Sequence, residues 1–138
     1  MNCKNFVLCG VLLLALVGGL RVEAHHSAAM FDMKNPITVE GIVKEFQFTN
    51  PHTWLLVDVT GKDGKVVTWG FENEAPNQLM REGIRRSDLP PGTRVKVTAD
   101  PLHNGKPGGH WTVIERLDNG KVINCDRGPG KPITSVKE

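Results

Sequence analysis

Histidines are the residues of this chain whose positions could do chemistry. There are five, His25, His26, His52, His103 and His110. Two of them follow Val22-Glu23-Ala24, a stretch that fits the small-residue rule for signal peptidase cleavage. Cleavage after Ala24 makes His25 the first residue. An N-terminal histidine offers one metal both its α-amine and its ring Nδ1. The amine's pKa lies near about 8, so much of it can lose its proton at neutral pH. A second histidine from elsewhere in the fold completes a T-shaped, three-nitrogen site, the arrangement called a histidine brace. Nitrogen ligands in a plane suit Cu(II), which also binds most tightly of the divalent series. The expected metal ligands are therefore His25, His26 and His52, and the expected cofactor is copper. His26 gives a second mode, using the amine, its own ring and the intervening amide. His103 and His110 are further sources of the third nitrogen, and Met30 and Met33 are soft ligands for Cu(I). Each residue also has a plainer role. His25 and His26 fit a solvated arm, His52 a turn residue bonded to backbone, and His103 a polar Gly/Pro loop. His110 opens a strand.

This chemistry depends on export. Lys4 precedes the apolar run Phe6 to Leu20, which is 15 residues long. That is short of the ~20 needed to span a bilayer and suits a signal-peptide core. Residues 1–24 are read as the signal, and the product as periplasmic or secreted, with no membrane span after cleavage. A rival cut after Ala29 would remove both leading histidines. The Ala24 cut leaves 114 residues, with 15 basic and 14 acidic side chains. Cys3 and Cys9 leave with the signal. Cys125 remains alone, so the mature chain forms no internal disulfide.

Composition narrows the function classes. The charge is balanced, aromatic residues are few and tyrosine is missing. That argues against nucleic-acid binding. No Gly-x-Ser-x-Gly, CxxC, phosphate loop or dinucleotide fingerprint is present, so an enzyme is not expected. Glu72 and Glu74 read as acids at a helix entry, where they favour the dipole. The competing reading is a metal-free binding module. It would use the barrel face around Trp54 and Trp69 for a small molecule, a peptide or an envelope partner.

The elements that must position these residues are mostly strands. Residues 25–35 read as an irregular arm and 36–125 as one β domain; 126–138 read as a disordered Gly/Pro/Lys tail. ITVEGIVKEFQFT is a long strand whose alternation changes phase, with a bulge expected at Gly41 and Ile42, Phe46 and Phe48 on one face. TWLLVDVT and KVVTWGFE follow across an Asp63-Gly64 turn. Ala75 to Gly83 reads as a short helix with Leu79 and Met80 facing the core. Pro76 suits its first turn and Gly83 its stop. TRVKVTAD, a flexible loop over Pro101–Gly109, HWTVIERL and a short KVIN segment complete the chain. Three strands, a helix and two strands give an all-β class with one short helix. The expected architecture is a five-stranded OB-like Greek-key barrel; a small β-sandwich is the alternative.

Several of these residues together resemble a family. They are His25-His26-Ser27, Phe31-Asp32, the strand Val39-Glu40-Gly41-Ile42-Val43, the turn Thr49-Asn50-Pro51-His52 with Trp54, and Leu89 with Pro91-Gly92. The chain resembles a family of small exported bacterial proteins of unknown function over about residues 25–123, and the Asn-Pro-His-x-Trp turn is the most specific part. The resemblance implies a periplasmic location and an OB-like barrel. It supplies no activity, ligand or catalytic residue. The tail with Cys125 departs from the family pattern.

Overall fold

The computed structural model describes residues 28–125. The expected signal peptide, His25 and His26, and the expected tail from residue 126 lie outside the described residues. Six strands and one helix follow in order: β1 (Ile37–Gln47), β2 (Thr53–Thr60), β3 (Val66–Asn73), α1 (Pro76–Arg81), β4 (Arg94–Pro101), β5 (Gly108–Arg116) and β6 (Val122–Asn124). Among the described residues no helix is long and apolar enough to cross a membrane.

Alternation along the strands sends one set of side chains inward, with a register shift that skips Thr112 of β5 bringing both Trp111 and Ile114 to that face. Leu55 and Val57 of β2, Phe71 of β3, Val95, Val97 and Ala99 of β4, and Trp111 and Ile114 of β5 are all fully buried. The sheet runs β3-β2-β1-β4-β5-β6, and an additional parallel pairing of β3 with β5 closes it. The result is a closed five-strand barrel of the OB type, with α1 between β3 and β4. The sandwich alternative falls, because the strands form one closed sheet. β6 shares an edge of β5 with β3. β3 takes Gly108–His110, and β6 takes Val113, Ile114 and Glu115.

The phase change in β1 is real, but it sits three residues later than expected. Its register against β2 slips between Val43 and Glu45, leaving Lys44 as the extra residue. Val43 and Phe46 therefore point inward, and Ile42 points out, 50% exposed. Gly41 serves a different purpose. A Cβ there would run into the Asp58 carbonyl oxygen and a Val57 methyl group. The glycine lets β1 cross closely over β2.

α1 is shorter than the expected 75–83. Pro76 opens it, and Gly83, at φ 84°, stops it. Leu79 is fully buried, whereas Met80 is 43% exposed, so only one of the two expected core residues reaches the core. With six residues the helix presents a single turn to the barrel, too narrow for adjacent positions to share. β5 also begins earlier than its sequence implies, at Gly108. Side chains at 108 and 109 would collide with the carbonyl oxygens of Gly70 and Asp100, so glycines are what allow this loop to become the closing strand.

The turn ahead of β4 is held by one carboxylate. Asp88 accepts from the Arg85 backbone N–H at 2.8 Å and from Lys121 Nζ at 2.7 Å, and its backbone oxygen accepts from Arg116 at 2.9 Å. Burial works against the charged form of Asp88. The Lys121 ammonium, the Arg85 N–H and the nearby Arg116 more than offset it, so the pKa lies below its ordinary value of 3.8. A depressed carboxylate contributes stability that is fully present above its unfolded pKa and is lost as pH falls through the folded one.

Two outcomes follow for the barrel. Gly108→Ala should destabilise it by about 2 kcal/mol or more in urea unfolding, because the closing contact must open. Asp88→Asn should remove part of the stability lost on acidification. Its unfolding midpoint should fall less steeply than that of the parent between about pH 4 and pH 2, and an identical acid limb would refute the assignment.

Candidate metal centre

Register builds this site. Trp54 of β2 lies opposite Glu72 of β3, Glu72 lies opposite His110 of β5, and His110 lies opposite Asp100 of β4. Their chain neighbours Leu55, Phe71, Trp111 and Ala99 are core residues. Alternation therefore sends Trp54, Glu72, His110 and Asp100 outward, as one row across four strands. Outward residues of a barrel are normally wet. Yet Glu72 is only 6% exposed and His110 8%.

Two segments lie against this row. The first is the arm before β1. The Phe31 backbone bridges Leu102, the Asp32 N–H donates to the Pro101 oxygen at 2.8 Å, and the His103 N–H donates to the Met30 oxygen at 3.0 Å. The Phe31 ring then sits on the imidazole of His110, with centroids 5.6 Å apart. The Asp32 carboxylate is held below its ordinary pKa by the Asn35 amide and the Lys34 N–H, with a smaller contribution from His103. The second segment is the turn carrying His52, which follows a cis Asn50–Pro51 bond. His52 Nδ1 is in direct contact with Glu72 Oε1, and the imidazole remains about a quarter exposed.

A carboxylate this buried needs a positive or donating partner. Among the described residues, Glu72 Oε1 has no hydrogen-bond partner beyond that contact. The contact is favourable when Nδ1 carries a proton. In neutral imidazole that makes Nε2 the basic, metal-competent nitrogen. A carboxylate behind a histidine is the usual support of a metal-binding imidazole. Glu72 was expected at a helix entry; it lies instead within β3, and α1 has no acid in its first turn. The Val67, Trp69, Phe71 alternation already marked residue 72 as outward-facing, but not what stood beside it.

The other candidates are scattered. Trp69 lies on the inward face, stacked on Phe71 at 6.0 Å, while Trp54 lies outside over Gly70. The two tryptophans thus face opposite sides of the sheet and do not form one surface. His103 is exposed in the β4–β5 loop. Cys125 is buried, with its thiol 3.3 Å from Asn73 Oδ1 and 3.2 Å from Glu82 Oε2. Among the described residues no three His, Cys, Asp or Glu side chains gather as a metal-holding group. His25 and His26 are outside that description.

A model of a family of unknown function (DUF6152) matches residues 14–111. That span takes in all five histidines, Phe31 and Glu72, and stops short of Cys125. No curated protein and no solved structure matches the chain.

The His52–Glu72 contact makes a stability test available without any metal. His52→Ala should destabilise the chain by about 1–3 kcal/mol, because a buried carboxylate loses its partner. Adding Glu72→Gln should restore part of that loss. A double-mutant cycle by urea unfolding should give a coupling of about 0.5–3 kcal/mol, and strictly additive effects would show that the pair does not interact.

Proposed function

The chain belongs to this family of unknown function, and we propose that it is an exported small binding protein that holds a transition metal, copper, at its mature N-terminus. The observation that carries this reading is the docking of the arm. Residues 30–32 lie along β4 and the loop after it, with Phe31 on His110, one strand away from Glu72 and its partner His52. Only three residue steps separate His25 from Ala28, where the described arm begins. Fully extended, they reach roughly 10 Å. That short tether, leading into an arm docked on His110, supports His25 as a ligand. Three nitrogens, from the His25 amine, the His25 ring and His52, form the T-shaped set that Cu(II) favours. His26 supplies the alternative chelate. Metal handling or delivery in the periplasm, or outside the cell, is the role such a site would serve.

A metal-free module remains the second reading, and Trp54 favours it. That ring is 37% exposed and lies over Gly70, where it offers an apolar surface. Trp69, on the opposite face, takes no part in it.

The test begins with mass spectrometry of the exported protein, which should start at His25. Calorimetric titration with Cu(II) should then show one ion bound per chain. His25→Ala should weaken binding by about 100-fold or more, and a chain starting at Met30 should lose it. Tight stoichiometric binding that is unchanged in His25→Ala would refute the role of the N-terminal residue. No binding by the intact mature chain would leave the metal-free module in its place.

A further inference from the structure

We infer that the outer wall of the barrel carries a separate site, a shallow cavity that binds a small zwitterion, an α-amino acid with an aliphatic side chain. None of its residues belongs to the proposed metal centre. Its Asp58 lies four residues along β2 from Trp54, about 13 Å away. Strand register assembles the cavity. Ile42 of β1 lies opposite Asp58 of β2 on one side and opposite Arg94 of β4 on the other. Their chain neighbours Val43, Val57 and Val95 are core residues, so all three face outward. Glu40 and Thr60 lie two positions along the same strands. Leu117 stands beyond Arg94, and its N–H donates to the Arg94 oxygen at 2.9 Å. Together these side chains line about 150 Å³ of space that opens to solvent.

The lining holds opposite charges apart. Asp58 and Glu40 face the same cavity as Arg94, yet each pairs with a lysine, Lys44 and Lys96 respectively, both at 3.8 Å. Lys96 is shared with Glu115, also at 3.8 Å. Thr68 donates to Asp58 Oδ1 at 2.6 Å, which anchors that carboxylate towards β3. Arg94 forms no ion pair among the described residues, and Ile42, half exposed, separates it from Asp58. A guanidinium takes a carboxylate through two parallel hydrogen bonds. The two acids and the Thr60 hydroxyl match an ammonium. An aliphatic side chain would cover Ile42 and Leu117 and take them out of water. A simple anion would meet the two acids, and a simple amine would meet Arg94, so the molecule that suits the whole lining carries both charges. A cavity of this size holds a molecule as large as benzene. The open mouth leaves room for the charged groups of a valine-sized amino acid. These charges are partly in water, so each contact contributes little and binding is weak.

The test uses the exported protein with L-valine as the probe, followed through the NMR shifts of its backbone amides. Saturable shifts should gather at residues 40–42, 58–60, 94 and 117. Isovalerate, which lacks the ammonium, and isobutylamine, which lacks the carboxylate, should each bind about 10-fold more weakly than valine. Arg94→Gln should weaken valine binding by about 10-fold, and Arg94→Lys by less, since it keeps the charge without the fork. Arg94 is exposed, and the spread of amide signals in each variant checks that it is folded. The absence of a saturable response to valine would overturn the inference. So would shifts confined to another part of the barrel, equal binding of either truncated compound, or parental affinity in a folded Arg94→Gln protein. Each of these results leaves the copper reading untouched, because the two sites share no residue.

Discussion

Three residues of parallel pairing between β3 and β5, from Gly70–Gly108 to Glu72–His110, tie the barrel shut and align its outer face at once. Antiparallel neighbours can be joined by tight turns. A parallel contact has to be brought in by a long excursion, here through α1, β4 and the loop after it. The register at closure is therefore set by the whole chain. It is also narrow, because glycines 108 and 109 let the backbones approach to distances that any side chain would block. Once that register is set, Phe71 and Trp111 must point inward, and Glu72 and His110 must stand side by side outside.

Electrostatics then constrains what covers that row. A carboxylate on the outer wall of a small barrel would ordinarily keep its water. Glu72 is instead buried against His52, and His110 lies under Phe31 of the arm. Burying a charge is costly unless a donor meets it, and the donor comes from a turn that β2 itself begins after. The His52 turn and the arm thus bear on neighbouring positions of one row of residues. The core provides rigidity, and its single cysteine is spent on packing against Asn73 and Glu82.

The bulge at Lys44 and the exposed Met80 show how local pattern misleads at element ends. A phase change is visible in the spacing of apolar residues, but its position depends on which strand the segment pairs with. Gly41 looked like the bulge because glycine tolerates one. In the fold it meets a different need, the close crossing of β1 over β2. The Pro101–Gly109 loop misled for the converse reason. Its glycines suggest flexibility in isolation, and only the opposite carbonyls of Gly70 and Asp100 turn that lack of side chains into a packing requirement.

The sequence by itself determined the β class, the strand order around one short helix, and the inward faces of β2 and β4. These follow from alternation and turn chemistry, which act over a few residues. It also singled out the histidines, since their chemistry belongs to the side chain wherever it lies. Tertiary structure alone decided that Glu72 is a buried partner of His52 and not a helix-entry acid, that His110 stands beside it, and that Trp54 and Trp69 are on opposite sides of the wall. The physical reason is separation along the chain. His52, Glu72 and His110 lie on different segments, and no local preference relates them. The β2–β3 register sets His52 beside Glu72, and the closing register of β3 on β5 adds His110, which lies under Phe31 of an arm whose own sequence carries no sign of where it will dock.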